Sequence, residues 1–251
     1  MDRKFPGSEK PKEESFKTHN TADNFLKLQN RRDRWKGEGE AFEKYLFGYM
    51  ELRDPDSFQK EQNQILGEHA SSGKFVPEYK VKQLIDLIKK YQKDSSVNPV
   101  SRYASDLRNK LKKNLGIADD GRLRFYTTVA KNFKTAVDVK LGIDAFFIFK
   151  DGDGIEHRIN IDATTNPDIK GVGTADIIIG PEHVPDPQEE VLDYKEAIAD
   201  IAHRIELKIK QIIERSRESR IKERYKRPQG SLITAGRKRK VVEYVPPRKN
   251  I

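Results

Sequence analysis

The stretch LGIDAFFIFKDGDGIEHRINIDATTNP, residues 141–167, decides how this chain is read. Ile143–Phe149 is rich in aromatic and β-branched residues, which favour a pleated, half-buried strand. Ile155–Ala163 mostly alternates apolar and polar residues. Between them, Lys150-Asp151-Gly152-Asp153-Gly154 carries two Asp-Gly steps, which close hairpins because glycine reaches positive φ without steric cost. A turn centred near Gly152–Asp153 sets Asp144 opposite Ile161 or Asp162.

Side chains alternate faces along a strand. Ile159, Ile161 and Ala163 therefore share one face, read as core, and Arg158, Asn160, Asp162 and Thr164 share the other. Opposed residues on paired strands have Cβ atoms about 4.5–5.5 Å apart, and like charges there repel. Two readings stay open for Asp144 and Asp162. Either a divalent cation such as Mg²⁺ cancels the repulsion, or the two are unrelated, solvent-facing aspartates on an amphipathic hairpin.

Outward from the hairpin, Ala175–Ile179 is a short apolar run that suits a buried strand. Helical patterns precede it: Thr21–Trp35, Glu40–Arg53 closed by Asp54-Pro55, Phe58–Glu68 and Lys80–Gln92. A further helix starts with Asn98 as N-cap and Pro99 at its first position. Leu123–Lys134 is also expected to be helical. From about Gln188 a long helix runs to near Arg220. Val191, Ile198, Ile205 and Ile212 repeat every seventh residue along it, the pattern of a packed stripe or a short coiled coil. The expected fold is α/β: a small mixed β-sheet with a central hairpin flanked by helices, and a long C-terminal helix.

The chain divides into a polar, disordered segment at 1–20, a helical and α/β domain at 21–214, and a basic helix end and tail at 215–251. Of 251 residues, 35% are charged and 35% hydrophobic, so a modest core with solvent-bathed extensions is expected. The net charge of +9 is unevenly placed. Residues 215–251 hold 13 Lys/Arg against 3 Asp/Glu, whereas residues 1–214 hold 36 against 37. Such a tail, with Arg237-Lys238-Arg239-Lys240 at its centre, favours a polyanion through counterion release. There is no cysteine, so disulfides, thiolate metal sites and Cys nucleophiles are excluded. No leader-like or membrane-spanning apolar run is present, and a cytoplasmic protein without a membrane partner is the expectation.

GIDAFFIF with Asp144, and INIDATTNP with Asp162, resemble the first and second motifs of the PD-(D/E)xK nuclease superfamily. KGEGEAFEKYL resembles the N-terminal helix of such enzymes, with Glu43 as its acid and Glu40 beside it. Asp138 stands six residues before Asp144, where members often carry another acid. The resemblance covers residues 138–179 and implies a restriction-endonuclease-like core. It also implies a metal site of Asp144, Asp162 and Glu43 for Mg²⁺ or Mn²⁺, and phosphodiester hydrolysis. The pattern places Lys two residues after the second acid, and this chain has Thr164 there. Lys170, in the following loop, is the expected substitute, so Lys170 or Thr164 would contact the attacking water.

The implied partner is nucleic acid, DNA ahead of RNA, with self-association through the helix at 188–220. The alternative is a catalytically inactive nucleic-acid-binding or assembly protein, which Thr164 in the lysine place favours. Other motifs are weaker. His19, His69, His157, His183 and His203 have no metal-ligand spacing. Asp151-Gly152-Asp153-Gly154 fails as a calcium loop, because Ile155, Glu156 and Asp162 occupy the positions that need an acid or Asn, Gly and Glu.

Overall fold

The computed structural model describes residues 21–71, 75–166 and 175–226. The expected disorder of residues 1–20, the loop lysine Lys170 and the basic run Arg237–Lys240 lie outside them. Among the described residues the order is α1 (Thr21–Arg34), α2 (Gly39–Phe47), α3 (Pro55–Leu66), α4 (Glu78–Tyr91) and α5 (Arg102–Asn114). Then follow β1 (Leu123–Thr127), α6 (Ala136–Leu141), β2 (Ala145–Lys150), β3 (Glu156–Ala163), β4 (Ile177–Ile179) and α7 (Val191–Lys226).

The expected hairpin forms. β2 and β3 pair antiparallel, with Ala145 opposite Ile161 and Lys150 opposite Glu156. One carboxylate organises the turn: Asp151 Oδ1 accepts the N–H groups of Asp153 and Ile155, both at 2.9 Å, and Gly154 takes φ +77°. Asp151 Oδ2 lies 2.9 Å from His157 Nε2, and both side chains are buried.

The strand order is β1-β2-β3-β4, and β4 runs parallel to β3, so the sheet is mixed. β1 corrects the helix expected at Leu123–Lys134. Leu-Arg-Phe-Tyr-Thr is aromatic and β-branched, and it pairs antiparallel with β2 from Leu123↔Phe149 to Thr127↔Ala145. Two helix starts also differ from expectation. Asp54-Pro55 opens α3, with the Asp54 carboxylate accepting the Ser57 N–H at 3.0 Å. Ser101, not Asn98, caps α5 by accepting the Ala104 N–H at 3.1 Å.

Helices cover both faces. Phe125, Phe147, Ile159, Ile161 and Ile179 meet α2, α5 and α7 on one side. Tyr126, Phe146 and Ile148 meet α3, α4 and α6 on the other. The second face is therefore not the polar, solvent-facing one that the alternation of β3 implied. The stripe of α7 is buried at Tyr194, Ile198, Ile201, Ile205 and Ile209 against its own core, while Val191 is exposed. Leu192, Leu207 and Ile221 of the same helix are also exposed.

Candidate active site

Asp144 sits at the mouth of β2, where the chain leaves α6. Gly142 ends that helix in the left-handed region at φ +60°, with its N–H on the Asp138 carbonyl, and two residues later Asp144 enters the sheet. Its N–H donates to the Ile161 carbonyl at 2.9 Å, and its carbonyl accepts the Thr128 N–H at 2.8 Å. The register of β2 and β3, carried one residue further, sets Asp144 opposite Asp162. Asp162 itself is opposite Ile178 of β4.

Both aspartates are buried, at 2% and 3% exposure, so they are not solvent-facing. Asp144 Oδ2 accepts the Ala163 N–H at 2.7 Å. Burial raises the Asp144 carboxyl well above the usual range, and the charges of Glu43 and then Asp162 raise it further. A hydrogen bond with Asp162 adds to this, against the lowering effect of the Ala163 N–H.

Glu43 reaches the site from α2. Phe42, Leu46 and Phe47 bury that helix against the sheet, leaving Glu40 and Glu43 together on the face turned toward the sheet's end. These two acids and Asp138 of α6 line a cavity of about 350 Å³, closed on its other side by Lys131, Asn132 and Lys134. The structure thus brings Glu43 and Asp138 to the end of the sheet that carries Asp144. Among the described residues, no group of three or more His, Asp or Glu side chains is arranged to hold a metal ion. Mg²⁺ is commonly held by one or two carboxylates, with waters and substrate phosphates completing the shell, and the Asp144–Asp162 pair fits that smaller demand.

Thr164 follows β3 directly. Its N–H donates to the Ile179 carbonyl at 3.0 Å, and its Oγ1 accepts the Asn166 N–H at 3.2 Å, so the hydroxyl shapes a local turn. Beyond it, Thr165 and Asn166 share a second cavity of about 270 Å³ with Arg32 and Lys36 at the end of α1. The sequence reading missed four flanking cations: Arg32, Lys36, Lys131 and Lys134. The run Lys131-Asn132-Phe133-Lys134 carried a signal, but assigning it to a helix hid its place in the loop after β1.

Among the described residues no histidine lines the carboxylate cavity, and His157 belongs to the hairpin turn. Asp176 is also structural, accepting the Asn160 N–H at 2.9 Å and meeting Lys208 at 3.2 Å. The fold and site together define a mixed α/β protein with a buried carboxylate pair at one end of its sheet. No family model, curated protein or solved structure matches the chain. No helix among the described residues is long and apolar enough to cross a membrane.

Proposed function

We propose that the chain binds nucleic acid and hydrolyses its phosphodiester bonds with Mg²⁺ or Mn²⁺, on a core like that of the PD-(D/E)xK nucleases. The observation that carries this reading is the Asp144–Asp162 pair, buried at the end of the central strands within reach of the Glu43 charge. Two carboxylates set side by side supply the oxygen ligands that a Mg²⁺ or Mn²⁺ ion takes from a protein.

Asp144 and Asp162 would hold the cation, with the Ala163 carbonyl, and Glu43 would meet it through water. When bound, such an ion lowers the pKa of its water and stabilises charge on the phosphate oxygens. The chain's own residues supply the rest. The Ala163 N–H fixes the Asp144 carboxylate. Lys131 and Lys134 on one flank, and Arg32 and Lys36 on the other, offer cations to the backbone phosphates on either side of the scissile bond. The attacking water needs a hydrogen-bonding partner, a role for Lys170 or Thr164. The tail at Arg237–Lys240 adds non-specific grip.

A binding-only reading has one observation in its favour: Thr164 stands in the lysine place, and its hydroxyl accepts a turn hydrogen bond. Calorimetric titration of Mg²⁺ and Mn²⁺ into wild type and Asp162→Ala, with and without an oligonucleotide, tests the metal site. Cleavage of DNA and RNA under the same conditions then separates hydrolysis from binding. Saturable binding lost in the variant is the expected result. Equal heats for both proteins, with oligonucleotide present, would remove the metal site and the reaction with it.

A further inference from the structure

Beside the carboxylate cavity lies a larger one of about 610 Å³, within the ~300–1,000 Å³ range of sites that enclose a small ligand. Four of the chain's nine tyrosines line it: Tyr45, Tyr49, Tyr103 and Tyr194. So do three cations, Lys44, Arg102 and Lys131. Lys44 Nζ stands 4.8 Å from the Tyr49 ring centre, and the Arg102 guanidinium 5.6 Å from that of Tyr194.

These cations keep their charge for a ligand. Among the described residues Lys44 and Lys131 make no ion pair, and Arg102 meets Asp106 only at 3.7 Å with both side chains substantially exposed. Three cations face two lining acids, of which one has a cation of its own. Glu51 meets Lys93 at 3.3 Å, and Asp94 accepts the Glu51 N–H at 3.1 Å. Tyr103 and Tyr194 are buried in the core, so the half-buried Tyr45 and Tyr49 offer ring surface, and the cations positive charge, to whatever enters the cavity.

We propose that this cavity receives an unstacked nucleobase, with Lys44, Arg102 and Lys131 on its flanking phosphates, so that the protein selects single-stranded nucleic acid. The inference rests on the functional reading above and extends it to the substrate's form. Its geometry is continuous with the carboxylate site. Lys131 lines both cavities, and the consecutive residues Glu43, Lys44 and Tyr45 of α2 serve first one and then the other. Bases in a duplex are paired and stacked, and their faces are closed to tyrosine. Bases in a single strand stack freely on aromatic side chains, and cationic grooves hold the backbone between them.

The test compares a fluorescein-labelled oligothymidylate of about a dozen nucleotides with a duplex of the same length and with an abasic oligomer, by anisotropy in EDTA. Wild type should bind the single strand about tenfold or more tighter than the duplex. Tyr49→Leu should lose about fivefold to a hundredfold of that affinity, the range of one stacked base, and Tyr49→Phe should keep it. The abasic oligomer should bind wild type as weakly as the oligothymidylate binds Tyr49→Leu. The single tryptophan, Trp35, has its ring centre 5.2 Å from that of Tyr45, so its emission should change saturably on filling.

Equal or tighter duplex binding by wild type, or a Tyr49→Leu variant within about twofold of wild type, would overturn the inference. The two readings fail separately. Cleavage that depends on Asp162 without Tyr49-dependent binding removes the base cavity alone. Tyr49-dependent single-strand binding in a wild type that cleaves nothing removes hydrolysis alone.

Discussion

Asp144 Oδ2 accepts the backbone N–H of Ala163 at 2.7 Å, so the carboxylate at the mouth of β2 is fastened to the residue that follows Asp162 on β3. That hydrogen bond adds to the β2–β3 ladder and fixes the Asp144 carboxylate beside Asp162. Each prediction about the site depends on that juxtaposition.

The first concerns stability without metal. Burial, then the charges of Glu43 and Asp162, raise the Asp144 carboxyl. Below the unfolded-state value both states are protonated and there is no penalty. As pH climbs from there toward the raised folded value, the penalty grows, and above it the penalty is complete. Asp144→Asn keeps an acceptor for the Ala163 N–H and removes the charge. It should stabilise the protein by about 1–3 kcal/mol near neutral pH in EDTA, the cost of a poorly compensated buried polar group. The gain should fade toward acid. Denaturant melts across pH measure it, and a destabilised variant at neutral pH would argue against a strained acid pair.

A bound cation should reverse the order. Mn²⁺ at about 100 times its dissociation constant should stabilise wild type by about 2.7 kcal/mol. It should leave Asp144→Asn and Asp162→Ala unmoved. Thermal melts with and without Mn²⁺ read this directly, and an equal shift in all three proteins would place any ion elsewhere.

The hairpin turn offers an independent check. Burial raises the Asp151 carboxyl, but the His157 hydrogen bond and the N–H groups of Ile155 and Asp153 outweigh it and leave the group lowered. A lowered carboxyl stabilises the fold at neutral pH and ceases to as pH falls through its folded value. Asp151→Ala should cost about 1–3 kcal/mol, since it leaves the buried His157 and two turn amides without an acceptor. Most of the difference from wild type should vanish in acid. A pH-independent difference would mean that the carboxylate's charge contributes nothing.

Lys131→Ala and Lys134→Ala should each weaken nucleic-acid binding and lower the salt slope of log K by about 1. Their effect should be the same across sequences, because a lysine on a phosphate reads no base. Salt titrations of the affinity decide it. An unchanged slope would mean that neither lysine touches the backbone.

The long helix predicts an assembly state. Ile201 and Ile205 are wholly buried against the chain's own core, so Ile205→Ala should destabilise by about 2–5 kcal/mol. Truncation after Glu214 should leave the molar mass per particle unchanged by light scattering. A wild-type dimer that becomes monomeric on truncation would instead show that the outer part of α7 forms a partner surface.

Residues 141–167 carry a local code, and it was readable. Asp-Gly chemistry sets the turn, alternation sets the strands, and together they put Asp144 beside Asp162 within one residue of register. The seven-residue stripe of α7 was equally plain, but periodicity marks a buried face without saying what buries it. Tertiary packing decided the rest. β1 pairs with β2 because its neighbour supplies the ladder, although its aromatic run also fits a helix. The second sheet face is covered because α3, α4 and α6 fold over it, so that Asn160 and Asp162 are buried where alternation alone placed them in solvent. Glu43 and Lys131 reach the site from separate segments, and no local pattern records which distant segments will meet. Short-range preferences are written residue by residue, whereas the burial of a charge depends on the whole chain closing around it.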